Sequence, residues 1–325
     1  MSLNNRLRLG YNYFLHRPRV SNGPVEIGIE ITNRCNLNCR MCNRQEMTRP
    51  LGDIRWDLFR RIVDQTKNSA EIYNLFGLGE PLLHPQLVQM IDYCHSCRIP
   101  VAVSTNTTLL NSANIRRLLT HPPDYLLLAL PAHRPGTYLS ICRRRFYHRC
   151  RTNLKRYLRA RRRLPHPPHA VVLFVQQPLN QTESTSFLKY WQNQGAPDVY
   201  LKKVTAMTEL KPQARPPGSC LFPWRTINFT WQGDAFPCCQ DTNCSFKLGN
   251  IRRSSLESIW NGRDWQRLRS SFAAGRQTSL CRSCLIRKPS FLLVCALTLI
   301  PELSAKKVVS PLSRYHRLFS RLFQS

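Results

Sequence analysis

Six short runs of β-branched, aliphatic and aromatic residues punctuate the first two-thirds of the chain. They are EIGIEIT (26–32), EIYNLFG (71–77), VAVST (101–105), YLLLAL (125–130), AVVLFVQ (170–176) and DVYLKKV (198–204). The last five are short and continuously apolar or β-branched, which is the pattern of strands covered on both faces in a parallel sheet. Between them lie amphipathic stretches such as WDLFRRIVDQT, LVQMIDYCHSC and STSFLKYWQNQG. Strands alternating with helices predict right-handed βαβ units and an α/β fold. Six strands make a partial (β/α)6 TIM-like barrel, two short of eight. The proline-rich KPQARPPGSC (211–220) breaks the alternation, and Cys, Trp and Gly become denser beyond it.

Composition adds compartment and charge. Hydrophobic residues make up 42% of 325, enough for a sizeable core. The net charge of +30 and pI near 10.4 predict attraction to something anionic and say nothing about fold. The start, MSLNNRLRLGYNYFLHRPRV, has basic residues but no apolar core of signal-peptide length. The longest apolar run, FLLVCALTLI (291–300), has 10 residues, against roughly 20 for a spanning helix. Without an export signal, the 14 cysteines point to a reducing, cytoplasmic setting, as metal ligands or buried thiols.

Cys35, Cys39 and Cys42 stand in TNRCNLNCRMCNR (32–44) at C-x3-C-x2-C spacing, just past the first predicted strand. That places them on a loop at a strand's C-terminal end, where barrels build sites. Three thiols cannot pair among themselves, and a structural zinc would want a fourth ligand nearby. Three thiolates on a four-iron cluster instead leave one iron open.

CNLNCRMC after IEIT resembles the signature of the radical S-adenosylmethionine (radical SAM) enzymes. The resemblance implies that Cys35, Cys39 and Cys42 hold a 4Fe–4S cluster whose fourth iron binds S-adenosylmethionine. It also implies a reducing partner such as flavodoxin or ferredoxin. FGLGEPLLHP (76–85) resembles the family's Gly-Glu-Pro loop, which implies cofactor contacts at Gly77, Gly79 and Glu80. VSTNTTLL (103–110) resembles the third-strand element and implies a contact from Asn106, with Thr107 in place of the usual Gly. Met41 stands where many members carry an aromatic residue. Ala129 and Pro131 stand where many relatives show a Ser-x-Asp motif.

A second set begins with Cys220, Gly233 and Cys238, in a C-x12-G-x4-C arrangement, and closes with CRSC, Cys281 and Cys284. A thiol-bearing hairpin, a helix and a C-x2-C knuckle are similar to the SPASM and shorter twitch domains. The resemblance implies one auxiliary 4Fe–4S cluster on Cys220, Cys238, Cys281 and Cys284. Cys239 and Cys244 are alternatives to Cys238, and the same four thiolates would also suit zinc. Cys94, Cys97, Cys142 and Cys150 are read as structural. The expected organisation is an extension (1–25), a partial barrel (26–206), an auxiliary-cluster domain (207–290) and an apolar and basic tail (291–325).

Residues 143–163 carry 11 Lys and Arg, with an apolar stripe of Phe146, Leu154, Tyr157 and Leu158, as in an amphipathic barrel helix. No stacking platform or reading motif for nucleic acid accompanies them. In the tail, PLSRYHRLFSRLF (311–323) opposes an apolar face to Arg314, Arg317 and Arg321. That pattern suits weak contact with an anionic membrane surface and equally suits a helix docked on the barrel. The functional expectation is an enzyme that cleaves S-adenosylmethionine reductively and takes hydrogen from a small-molecule or peptide substrate. Its auxiliary cluster would aid oxidation or peptide modification. No catalytic acid or base is identifiable. The rival is a zinc-stabilised basic protein that binds nucleic acid, which leaves the FGLGEP and STNTTLL elements unexplained.

Overall fold

The computed structural model describes residues 3–203 and 220–276. An amino-terminal helix, α1 (Leu3–Phe14), precedes β1 (Glu26–Ile29). Then follow α2 (Trp56–Thr66), β2 (Ile72–Asn74), α3 (Leu87–Ser96), β3 (Val101–Thr105), α4 (Ser112–Thr120) and β4 (Tyr125–Ala129). Next come α5 (Pro135–Cys142), α6 (Tyr147–Arg161), β5 (His169–Gln176), α7 (Ser184–Asn193) and β6 (Asp198–Lys203). After the break come α8 (Phe222–Arg225), β7 (Thr226–Phe229), β8 (Ala235–Phe236), α9 (Leu256–Trp260) and α10 (Arg263–Ala273).

All six expected strands are present, parallel and in sequential order, so the partial barrel is borne out. The apolar runs are explained by burial on both faces. Leu126 and Leu128 pack into the core under the helices with Ile62, Met90, Leu154 and Phe187. Leu127 turns inward with Ile72, Ala102, Val171 and Leu173. The basic 147–161 segment is one helix whose Tyr147, Cys150, Asn153, Leu154, Tyr157 and Leu158 are buried. Its arginines ride on the other face, so burial of the stripe settles the helix despite the charge.

The hairpin expected beyond the break is β7–β8, and it continues the barrel sheet. β7 pairs in parallel with β1, from Glu26 opposite Thr226 to Ile29 opposite Phe229, giving the order β6-β5-β4-β3-β2-β1-β7-β8. Gly28 faces Asn228, and a methyl group on Gly28 would collide with the Asn228 side chain. Buried Arg225 pairs with Glu26 at 2.5 Å, closing the start of the same strand pair. The proline-rich break, Cys281, Cys284 and the tail lie outside the described residues, apart from Cys220 at the edge of the break.

Candidate functional site

β1 ends at Ile29, and the chain then runs irregularly past Cys35, Cys39 and Cys42 before a short 3-10 turn at Asn43–Glu46. All three thiols are half-buried and free of disulfides. The loop is held from several sides. The Arg40 N–H donates to the Ile141 carbonyl at 2.8 Å, and Glu80 N–H donates to the Arg34 carbonyl at 2.8 Å. Asn33 Nδ2 donates to the Pro50 carbonyl at 2.9 Å. Cys35 lies against Asn106, whose Nδ2 donates to Asn36 Oδ1 at 2.9 Å and approaches the Cys35 sulfur at 3.7 Å.

The three thiols differ electrostatically. Burial pushes the Cys35 thiol up, with Glu80 adding to the effect and Arg44 opposing it. Burial likewise raises Cys42. Cys39 is lowered, chiefly by a hydrogen bond from Cys142. Sequence spacing gave no sign of that contact. Cys142 sits at the end of α5, buried with Tyr138 and Cys150, behind the cysteine loop.

The 76–80 loop and the third-strand element meet at Glu80. Its carboxylate accepts from Leu82 N–H at 3.1 Å, Thr105 Oγ1 at 2.8 Å and Asn106 N–H at 2.7 Å. Burial raises its pKa to about 7 despite these donors. Gly79 is set by the cysteine loop itself: a Cβ there would run into the carbonyl oxygens of Thr32 and Arg34. Gly77 approaches the Glu30 side chain. Thr107 has φ of 65°, the left-handed region glycine adopts freely, which accounts for the usual Gly there. Here buried Thr107 is fixed by its hydroxyl on the Asn106 carbonyl at 2.7 Å, while Asn153 Nδ2 donates to its carbonyl at 3.0 Å. At the open end of β5, Gln177 Nε2 approaches the Met41 sulfur at 3.0 Å.

The second cysteine loop follows β8 and lies against the first. Thr48 N–H donates to Asn243 Oδ1 at 2.8 Å, and Asn243 Nδ2 donates to the Glu46 carbonyl at 3.0 Å. Arg49 completes the join. It holds Glu30 through two bonds of 2.8 and 2.7 Å and donates through Nε to the Thr242 carbonyl at 2.8 Å. Cys238 is raised, first by its hydrogen bond to Cys239, then by burial, with Cys220 close enough to contribute. Cys239 is lowered to about 7 by that same bond, helped by Lys202. Cys244 is buried among Asp234, Asp241, Arg49 and Lys247, and burial first, then the carboxylates, push it up to about 12. Cys94 is buried in α3, consistent with a structural thiol.

Among the described residues no three His, Cys, Asp or Glu side chains converge on a single-ion position. A cluster binds one thiolate per iron and needs no such convergence. Three free thiols on one irregular loop, with Asn106 beside the first, suit that donor set.

A parallel barrel with three thiols at the exit of its first strand defines a class, and sequence comparison agrees. Residues 29–165 match the radical SAM superfamily, and residues 220–285 match SPASM, an iron–sulfur cluster-binding domain. The chain belongs to the radical SAM superfamily and carries a SPASM domain behind the barrel. It is 36% identical over 92 residues to the tungsten-containing aldehyde ferredoxin oxidoreductase cofactor-modifying protein of Pyrococcus furiosus, covering 28% of this chain and 26% of that one. It is 29% identical over 98 residues to the antilisterial bacteriocin subtilosin biosynthesis protein AlbA of Bacillus subtilis, covering 30% and 22%. These matches span about a quarter of each relative's own length. The fold is similar to that of Streptococcus suis SuiB bound to its precursor peptide SuiA, with TM-score 0.59 and 17% identity over 93% of this chain and 76% of that one. No helix among the described residues is long and apolar enough to cross a membrane.

Proposed function

We propose that this protein is a radical SAM enzyme acting on a peptide, with Cys35, Cys39 and Cys42 as ligands of a 4Fe–4S cluster. The observation that carries the reading is the cysteine loop at the exit of β1, stitched to the Glu80 loop and to Asn106. When bound, the cluster and S-adenosylmethionine supply a 5′-deoxyadenosyl radical that takes a hydrogen atom from the substrate, after one electron from a donor such as a flavodoxin or ferredoxin. The 76–80 backbone, fixed by Glu80, offers carbonyls to the methionine ammonium of S-adenosylmethionine. Asn106 orients Cys35 and can turn an amide toward the cofactor. Met41, which meets Gln177 at 3.0 Å, would pack beside the cofactor.

In this reading Cys220, Cys238, Cys281 and Cys284 would hold one auxiliary 4Fe–4S cluster, which would supply a one-electron acceptor for substrate oxidation. Cys220 and Cys238 are near each other, which supports the pairing. A neighbouring Cys239 with a lowered pKa competes for the second position. Cys244 is the weaker alternative, because two carboxylates flank it. The peptide class is supported by the bacteriocin-biosynthesis relative and by the peptide-bound fold neighbour.

The test is anaerobic reconstitution with iron and sulfide, then assay of 5′-deoxyadenosine with dithionite as reductant. Changing Cys35, Cys39 and Cys42 together to Ala should abolish the product and leave auxiliary iron bound. Undiminished product from the triple variant would sink the assignment.

A further inference from the structure

The amino-terminal helix has two unlike faces. One docks on the protein: Arg6, Leu9, Gly10, Asn12 and Tyr13 are buried. Arg6 pairs with Glu71, Asn12 Nδ2 donates to Asn22 Oδ1 at 2.9 Å, and the Tyr13 ring meets Trp224 edge-on at 5.6 Å. Those contacts hold the helix against the protein.

The other face is bare. Leu3, Leu7, Tyr11, Phe14 and, in the following turn, Leu15 are 60, 48, 55, 37 and 54% exposed. Steps of four, four and three put the first four on a single stripe, with Leu15 beside it. The other exposed large apolar side chains among the described residues, Leu51, Leu83, Leu139 and Leu179, are scattered along the sequence. An apolar concentration of this kind marks an interaction surface. Its rim is cationic. Arg8, Arg17 and Arg19 are exposed, and no acidic residue precedes Glu26. Arg17 donates to the Tyr11 hydroxyl at 3.1 Å and lies over its ring at 5.6 Å, at the edge of the stripe.

We propose that α1 is an interfacial helix that seats this protein on an anionic bilayer surface. An apolar stripe ending in Tyr and Phe and bordered by arginines matches the acyl–headgroup boundary, where rings and aliphatic chains enter and guanidinium groups meet phosphate. A second copy of the chain fits less well, because each carries a net charge of +30 and the arginine rims would face each other. The last described helix strengthens the geometry: Arg269 of α10 donates to the Pro18 carbonyl at 2.9 Å, just past the end of α1. The surface lies outside the cysteine site, so the inference stands apart from the proposed reaction.

Flotation of the full-length protein tests it, using phosphatidylcholine vesicles with or without about 30% phosphatidylglycerol, at low and high salt. Binding is expected only to the anionic vesicles, and is expected to weaken with salt. The double variant Leu7→Gln/Leu15→Gln should lower the bound fraction at least about tenfold while its melting temperature is unchanged, since both side chains point to solvent. Three results would overturn the proposal. One is absence of binding at low salt, and another is equal flotation of the variant, which would assign attachment to the tail. The third is a dimer in sedimentation that the variant dissociates, which would make a second copy the occupant.

Discussion

Replacing Arg49 with Met probes the join between the two cysteine loops. The Glu30 and Arg49 side chains are 5% and 11% exposed, so the pair is nearly shut off from water. Burial pulls the Arg49 guanidinium down, but the hydrogen bonds and charge of Glu30 outweigh it and leave it raised. Met keeps the length and the apolar stem but removes the charge and all three donors. The Glu30 carboxylate is then left with a distant N–H of Trp231 at 3.5 Å. Removing one member of a buried pair costs about 3–5 kcal/mol, and the bereft Thr242 carbonyl adds about 1 kcal/mol. Changing Glu30 to Gln as well removes the stranded charge and should recover roughly half of the loss. Urea unfolding of the two single variants and the double variant, followed by circular dichroism at pH 7, measures this as a coupling energy. A loss below about 1 kcal/mol for Arg49→Met, or strict additivity, would refute the reasoning that this pair holds the loops together.

Two further perturbations follow from the same site. The Glu80 pKa rises from 4.5 unfolded to about 7 folded, so the folded state binds its proton more tightly and stability from this group is full below pH 4.5 and declines up to pH 7. Between those limits the wild type should lose on the order of 3 kcal/mol relative to Glu80→Gln, and a pH-independent difference between their urea midpoints would contradict it. Gly79→Ala should destabilise by about 2 kcal/mol or more and lower iron uptake, because the new methyl group meets two backbone carbonyls that no rotamer change can move. Wild-type melting temperature and iron content in that variant would show that the loops can separate.

The barrel was legible because its strands are buried on both faces, which writes continuous apolar runs into the sequence, and because the C-x3-C-x2-C loop falls directly after the first. The glycine at the usual third-strand position is explained by φ rather than by the ligand, since Thr107 adopts the same left-handed backbone. Other features had no linear signature. Cys142 reaches Cys39 across a separation of about a hundred residues, and neither lies in a spacing that announces the other. Glu30 looks like the polar end of a strand until Arg49 is seen to cover it. A two-strand hairpin carries its own turn chemistry but not the identity of the edge it joins, so the β7–β1 pairing was invisible. The stripe on α1 stands at helical spacing in the sequence, but which of its faces is bare is set by the docking of Tyr13 on Trp224, about two hundred residues away.

The pairing of β7 with β1 has a consequence for how such proteins can be recombined. A domain swap cut at the proline-rich break would leave one edge of β1 bare. The incoming module would have to supply a strand of matching register, with a side chain opposite Gly28 that occupies the space Asn228 fills. Chimeras joined there should therefore succeed between relatives that share this strand pair and aggregate between those that do not. The natural unit of exchange is β1 together with β7, two segments about two hundred residues apart in the chain.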